Sequence, residues 1–156
     1  SKDYWGNLFR VSKNQIVWGA NYMTTFLPPS MGWVFWDKGT GLNDFSDGEL
    51  AYTSFNRALR KYKVSWVGAN ANNGTPRIHP TEKPIQLYKW LLKNYAKEGD
   101  KILDTHLGSG SIAIAIDNLN KIDKMNLTLT ACELDKEYFD KSIERIKTQT
   151  AQQTLF

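Results

Sequence analysis

Residues 101–119 read Lys-Ile-Leu-Asp-Thr-His-Leu-Gly-Ser-Gly-Ser-Ile-Ala-Ile-Ala-Ile-Asp-Asn-Leu, and three changes of character within them decide the fold. Lys101 to Asp104 is a short apolar run closed by an acid, which predicts a strand. His106 to Gly110 carries two glycines in three positions and predicts a tight loop, and Ser111 to Leu119 opens a helix. Leu127 to Cys132 reads as a second strand, followed by a final helix with Phe139, Ile143 and Ile146 on its apolar face. Strand, loop, helix, strand, helix in that order closes as a parallel βαβ unit with helices covering the sheet, so the fold class is α/β.

Upstream of this unit, Pro84 suits the start of a helix and Leu87, Leu91 and Tyr95 repeat on one face. With Gly99 just past its end, this predicts a helix of about 13 residues. Farther upstream, Tyr4 to Val11 has helical spacing in Trp5, Leu8 and Phe9. Ile16–Trp18, Trp33–Trp36, Leu50–Phe55 and Tyr62–Val67 read as strands. Gly68 to Pro80 is rich in turn formers (Asn70, Asn72, Asn73, Gly74, Pro76) and is expected to be an exposed, mobile loop. The chain opens on a helix with no strand before it, so the domain is expected over residues 1–147, incomplete at its N-terminus, with a polar tail over 148–156.

Composition sets outer limits. The 156 residues suit one ordinary domain, and 41% hydrophobic with 23% charged residues excludes disordered and collagen-like chains. No apolar run approaches the roughly 18 residues of a membrane span, which excludes a helical membrane protein. A single cysteine, Cys132, excludes an internal disulfide and a zinc cluster, and its place within a strand predicts a buried packing role. No signal segment is evident, which predicts a cytoplasmic protein. Twenty Lys+Arg against sixteen Asp+Glu give +4 and a pI near 9.1, compatible with a polyanionic partner but decisive of nothing.

The loop also carries chemistry. Gly108, Gly110 and Ala113 fit a dinucleotide-binding spacing, with Glu133 at the distance of a ribose-binding acid. Two cofactors satisfy these letters: a nicotinamide or flavin dinucleotide, and S-adenosylmethionine (SAM), which also offers ribose hydroxyls. Asp104 discriminates, because a carboxylate at the strand tip repels a pyrophosphate and attracts the ammonium and sulfonium of SAM. Metal chemistry has little support: His79 and His106 lack a third clustered ligand, and Asp37, Asp44, Asp47 and Glu49 lack calcium-loop spacing and read as solvated loop acids.

His79-Pro80-Thr81-Glu82-Lys83-Pro84, the helix after it, Ile102 to Ser111 and Ala131-Cys132-Glu133 together resemble the C-terminal half of the permuted (β-class) DNA amino-methyltransferases, in particular the small prophage-type adenine enzymes. Leu8 to Gln15, Trp18 to Tyr22, Trp33 to Lys38 and Asp44 to Phe55 are similar to the family's middle motifs, so the resemblance extends over nearly the whole chain. It implies a Rossmann-like SAM-dependent methyltransferase fold, with a short target-recognition region at 68–80. It implies a bacterial or phage-encoded enzyme that moves the SAM methyl directly to adenine N6 in double-stranded DNA, without a metal. N4-cytosine transfer by the same architecture is the alternative within the class, and a catalytically silent module sitting on DNA is the alternative outside it.

By that resemblance SAM is held by Thr81, Lys83, Asp104, Thr105, His106, Gly108, Ser109, Gly110, Ser111 and Glu133. Phosphate contacts are expected from the basic cluster Arg57, Arg60, Lys61 and Lys63 and from Arg77. The family's catalytic Asp/Asn-Pro-Pro-Tyr turn, which orients a flipped base, is absent; Pro28-Pro29 lies between Leu27 and Ser30 and reads as an ordinary loop. The chain is therefore expected to be a fragment with little methyl-transfer activity of its own. Gln152-Gln153-Thr154-Leu155-Phe156 resembles the short motif that docks DNA enzymes on the bacterial sliding clamp, with Gln152, Leu155 and Phe156 as contacts.

Overall fold

The structure is a computed structural model that describes residues 1–40, 46–65 and 77–151. The chain divides into two compact units, Ser1–Val67 and Gly68–Phe156, where the sequence reading set one domain over 1–147. Among the described residues no helix is long and apolar enough to cross a membrane.

The first unit opens with helix α1, Lys2–Val11, capped by Ser1, whose hydroxyl accepts from Tyr4 N at 3.3 Å. Its buried Trp5 stacks on Phe26 at 5.8 Å between ring centroids. Strands β1 (Ile16–Trp18), β2 (Trp33–Asp37), β3 (Gly48–Thr53) and β4 (Arg60–Lys63) form one sheet in the order β1-β3-β2-β4. β3 runs antiparallel to both neighbours, while β4 is parallel to β2. Alternation along β2 buries Val34 and Trp36 completely and leaves Trp33, Phe35 and Asp37 half-exposed, the period of a sheet with one covered face. The first two predicted strands are present, the third starts and ends two residues earlier than Leu50–Phe55, and the fourth runs over Arg60–Lys63, overlapping the predicted Tyr62–Val67 only at its start. Asp37 and Glu49 correct the expectation of solvated loop acids: they lie within β2 and β3, where Asp37 pairs with Lys61 and Glu49 with Lys38, each at 2.8 Å. Asp44 lies outside the described residues.

The second unit contains α2 (Ile85–Tyr95), β5 (Lys101–Asp104), α3 (Ser111–Ile122), β6 (Thr128–Ala131) and α4 (Lys136–Ala151). β5 and β6 pair in parallel with Asp104 opposite Ala131, and α3 is the crossover, as the sequence order requires. Leu87, Leu91 and Tyr95 are buried along the predicted face of α2. The core of the unit is Leu92, Leu107, Ile112, Ala115, Ile116, Leu119 and Leu127, so α3 contributes most of it. Asn120 brackets the turn into β6: its side-chain amide donates to Leu127 O and accepts from Leu127 N, at 2.9 and 2.8 Å.

Two expectations for α4 are corrected. The helix continues to Ala151, through residues assigned to the polar tail, with the hydroxyls of Thr148 and Thr150 donating to the carbonyls of Glu144 and Ile146 one turn back. The most deeply buried position of α4 is Ser142, whereas Phe139, placed on the apolar face by its spacing, is 41% exposed.

Candidate functional site

Backbone pairing continues past the ends of β5 and β6. Cys132 N donates to Asp104 O and Leu107 N donates to Cys132 O, both at 2.9 Å, so the loop after β5 is laid against the tip of β6. Asp104 and Glu133 thereby stand at the same end of two adjacent parallel strands, the end where open α/β sheets place their ligands. Cys132, immediately before Glu133, is exposed at this tip and not packed in the core as expected, because it lies past the end of β6.

Gly108 and Gly110 adopt φ of +56° and +76°, conformations that L side chains rarely take. A Cβ on Gly110 would lie 2.8 Å from Ile146 Cδ1, which makes glycine the residue that α4 admits at this point. Glu133 holds the loop from the other side. One carboxylate oxygen accepts from Gly108 N at 2.8 Å and the other from Asp135 N at 3.0 Å. These bonds, that from Asp135 first, keep the carboxyl below the usual glutamate range, so Glu133 is ionised at neutral pH. Each oxygen retains a lone pair for a further donor.

The Asp104 pKa is shifted in the opposite direction. Its half-buried carboxyl accepts from His106 N at 3.0 Å, yet burial outweighs that bond and raises its pKa, with Glu133 adding to the rise and Lys83 opposing it. Beside the loop, His79 Nδ1 accepts from Thr81 N at 3.2 Å and lies 3.0 Å from Thr81 Oγ1. The His79 ring meets Tyr138 edge-on at 4.4 Å, and a Cβ on Gly108 would touch it at 3.6 Å.

A buried network ties these parts together. Glu82 and Arg145, with side chains 0% and 9% exposed, form an ion pair at 3.3 Å. The second Glu82 oxygen accepts from Ile78 N at 3.1 Å. Arg145 Nη1 donates to Ser109 O at 2.8 Å and to Ser111 Oγ at 2.9 Å, and the two serine hydroxyls lie 3.1 Å apart. Burial lowers the Arg145 pKa while Glu82 opposes the shift, so the guanidinium stays charged.

Of the predicted cofactor residues, Asp104, Gly108, Gly110 and Glu133 are gathered around one loop. Thr105 Oγ1 is 2.8 Å from His106 Nδ1 at its start, and Thr81 braces His79. Ser109 and Ser111 are buried, with their hydroxyls against each other and Arg145. Glu82, Arg145 and Tyr138 were not foreseen as site residues; an arginine inside the apolar stripe of α4 is the sequence signal that points to the network.

The predicted phosphate contacts divide between the units, with Arg77 in the second and the others in the first. Within the first, the strand alternation turns Arg60 to one face of β4 and Lys61 and Lys63 to the other, and Lys61 is engaged by Asp37. Arg57 is half-buried, and Arg77 is exposed. Gln152, Leu155 and Phe156 lie outside the described residues, as does most of the loop at 68–80.

A family model described as DNA methylase (N6_N4_Mtase) matches residues 12–144, and the chain belongs to that family. It is 34% identical over 83 residues to the Type II methyltransferase M.HpaI of Haemophilus parainfluenzae, a match covering 48% of this chain and 26% of that protein. It is 25% identical over 108 residues to the Type II methyltransferase M2.DpnII of Streptococcus pneumoniae, covering 69% of this chain and 35% of the relative. The matches thus span about a third or less of the curated relatives' length. A solved structure described as the M1.HpyAVI-SAM complex shares the α/β fold, with a TM-score of 0.60 over 85% of this chain and 74% of that one, at 18% identity.

Proposed function

We infer that the strand-tip loop of the second unit binds SAM, and that the chain supplies this cofactor-holding part to a site-specific DNA methyltransferase acting on adenine N6. The observation that carries the reading is the pair of carboxylates, Asp104 and Glu133, on either side of a loop with two left-handed glycines at the ligand-binding end of a parallel sheet. Asp104 suits a cationic group: a nearby positive charge favours the ionised form of a half-buried carboxyl whose pKa burial raises. Glu133 is ionised, fixed by two backbone donors, and keeps acceptor capacity for ribose hydroxyls. A pyrophosphate at the strand tip would meet Asp104, which disfavours the dinucleotide alternative.

SAM supplies an electrophilic methyl group on its sulfonium when bound. The chain's own share is orientation and electrostatics: the glycines allow close backbone approach, and the acids fix the two polar ends of an elongated cation. Family membership and the type II methyltransferase relatives support DNA as the methyl acceptor. The ordered resemblance to small adenine enzymes favours adenine N6 over cytosine N4. Lys63, exposed on β4 on the face it shares with Lys61, suits a phosphate contact that positions a duplex without reading its sequence. Titration calorimetry of the chain with SAM tests the reading. A one-to-one complex that disappears in Glu133→Ala is expected, and a silent wild-type titration, or NAD binding in its place, overturns it. Nucleoside analysis of DNA treated with the whole enzyme separates N6-methyladenine from N4-methylcytosine.

A further inference from the structure

The Glu82–Arg145 pair fastens three separate stretches of chain: the turn at 78–82, the glycine loop and α4. A buried ion pair is weak evidence for stability, since desolvation cancels much of its attraction. What this pair does specify is geometry. The Arg145 guanidinium holds the Ser109 carbonyl and the Ser111 hydroxyl through one nitrogen while its other terminal nitrogen faces Glu82. Those two serines flank Gly110, and Gly108 precedes them, so the clamp acts on the peptide units that carry the left-handed conformations. The remaining degree of freedom is taken by Glu133, which holds Gly108 N from the opposite side. The loop is thus set between a carboxylate in front and a guanidinium behind.

We propose that Arg145, itself anchored by Glu82, is a positioning residue for the cofactor loop: it fixes the Ser109–Ser111 backbone so that SAM affinity depends on a side chain that does not touch SAM. The proposal rests on the SAM reading of the site. A planar fork is needed, because lysine keeps the charge and the pairing with Glu82 but cannot hold two serine oxygens and a carboxylate in fixed directions. Arg145→Lys is therefore the informative variant. In the 156-residue chain it is expected to melt within a few degrees of the wild type, to move the Gly108 and Gly110 amide resonances, and to weaken SAM binding about tenfold, the effect of one lost hydrogen bond to a charged group.

Ser111→Ala, which deletes one of the two acceptors, is the second variant and is expected to act in the same direction without altering charge. Wild-type binding that Glu133→Ala abolishes, combined with unchanged affinity and unchanged glycine resonances in folded Arg145→Lys, overturns this proposal alone. If Arg145→Lys does not fold, unchanged affinity in Ser111→Ala overturns it equally. Absence of any SAM binding by the wild type overturns the site reading and this proposal with it.

Discussion

Gly110→Ala measures how tightly the loop is packed against α4. Two separable costs are present at this position. The first is conformational: a φ of +76° in an L-residue costs about 1 kcal/mol. The second is steric, because the new methyl carbon would sit 2.8 Å from Ile146 Cδ1, 3.0 Å from Ile146 Cγ1 and 3.5 Å from Ser142 Cβ. Ile146 Cδ1 is the far end of a flexible side chain and can give way, so the steric share lies at the low end of overpacking, about 1 kcal/mol, and a total of about 2 kcal/mol is expected. Gly99 supplies the internal control, since its φ of +80° is similar but nothing lies within 4 Å of its built Cβ. Gly99→Ala should lose only the conformational share. Urea unfolding followed by circular dichroism gives both values, and Ile146→Val in the Gly110→Ala background removes the nearest atom and should recover about 1 kcal/mol of the clash. Equal losses in Gly110→Ala and Gly99→Ala, or no coupling to Ile146, would refute the packing argument.

Three further outcomes are expected. The Asp104 pKa is raised on folding, so the folded chain binds more protons than the unfolded one above pH 3.8; stability falls as pH rises through that window, and Asp104→Asn should gain stability over wild type at neutral pH in urea melts. The Glu133 pKa is lowered, so its stabilising contribution is present above pH 4.5 and is lost as pH falls through the depressed value; the stability gap between wild type and Glu133→Gln should close in acid, which pH-dependent melts will show. Leu119, fully buried in the core of the second unit, should cost about 2–5 kcal/mol as Leu119→Ala by urea unfolding, whereas wholly exposed Leu134 should cost less than about 0.5 kcal/mol as Leu134→Ser.

The βαβ unit was legible because strand and helix periods change abruptly at the glycines, and β5 matches the four residues Lys101 to Asp104 that the apolar run delimits. Both site acids were legible for a related reason: a charged residue closing an apolar run marks a strand tip. Arg145 and Glu82 were not, because partners 63 positions apart share no local pattern, and their pairing depends on how α4 lies against the loop. Cys132 was misjudged for a physical reason as well. Strand character predicts burial only within the strand, and this side chain lies exposed past the end of β6. The last turn of α4 was not legible because threonine has a low helix propensity that tertiary context overrides here.

The continuation of pairing beyond β5 and β6 gives the distance between the two acids a parity. Successive residues of an extended chain face opposite ways, so Glu133 shares its orientation with Ala131, the partner of Asp104, because a single residue, Cys132, intervenes. One residue inserted or deleted there would turn the second carboxylate to the reverse side and bring a thiol or a leucine forward. Two would restore its direction, one step farther along. Any grafting of this cradle onto another parallel sheet must therefore count in pairs.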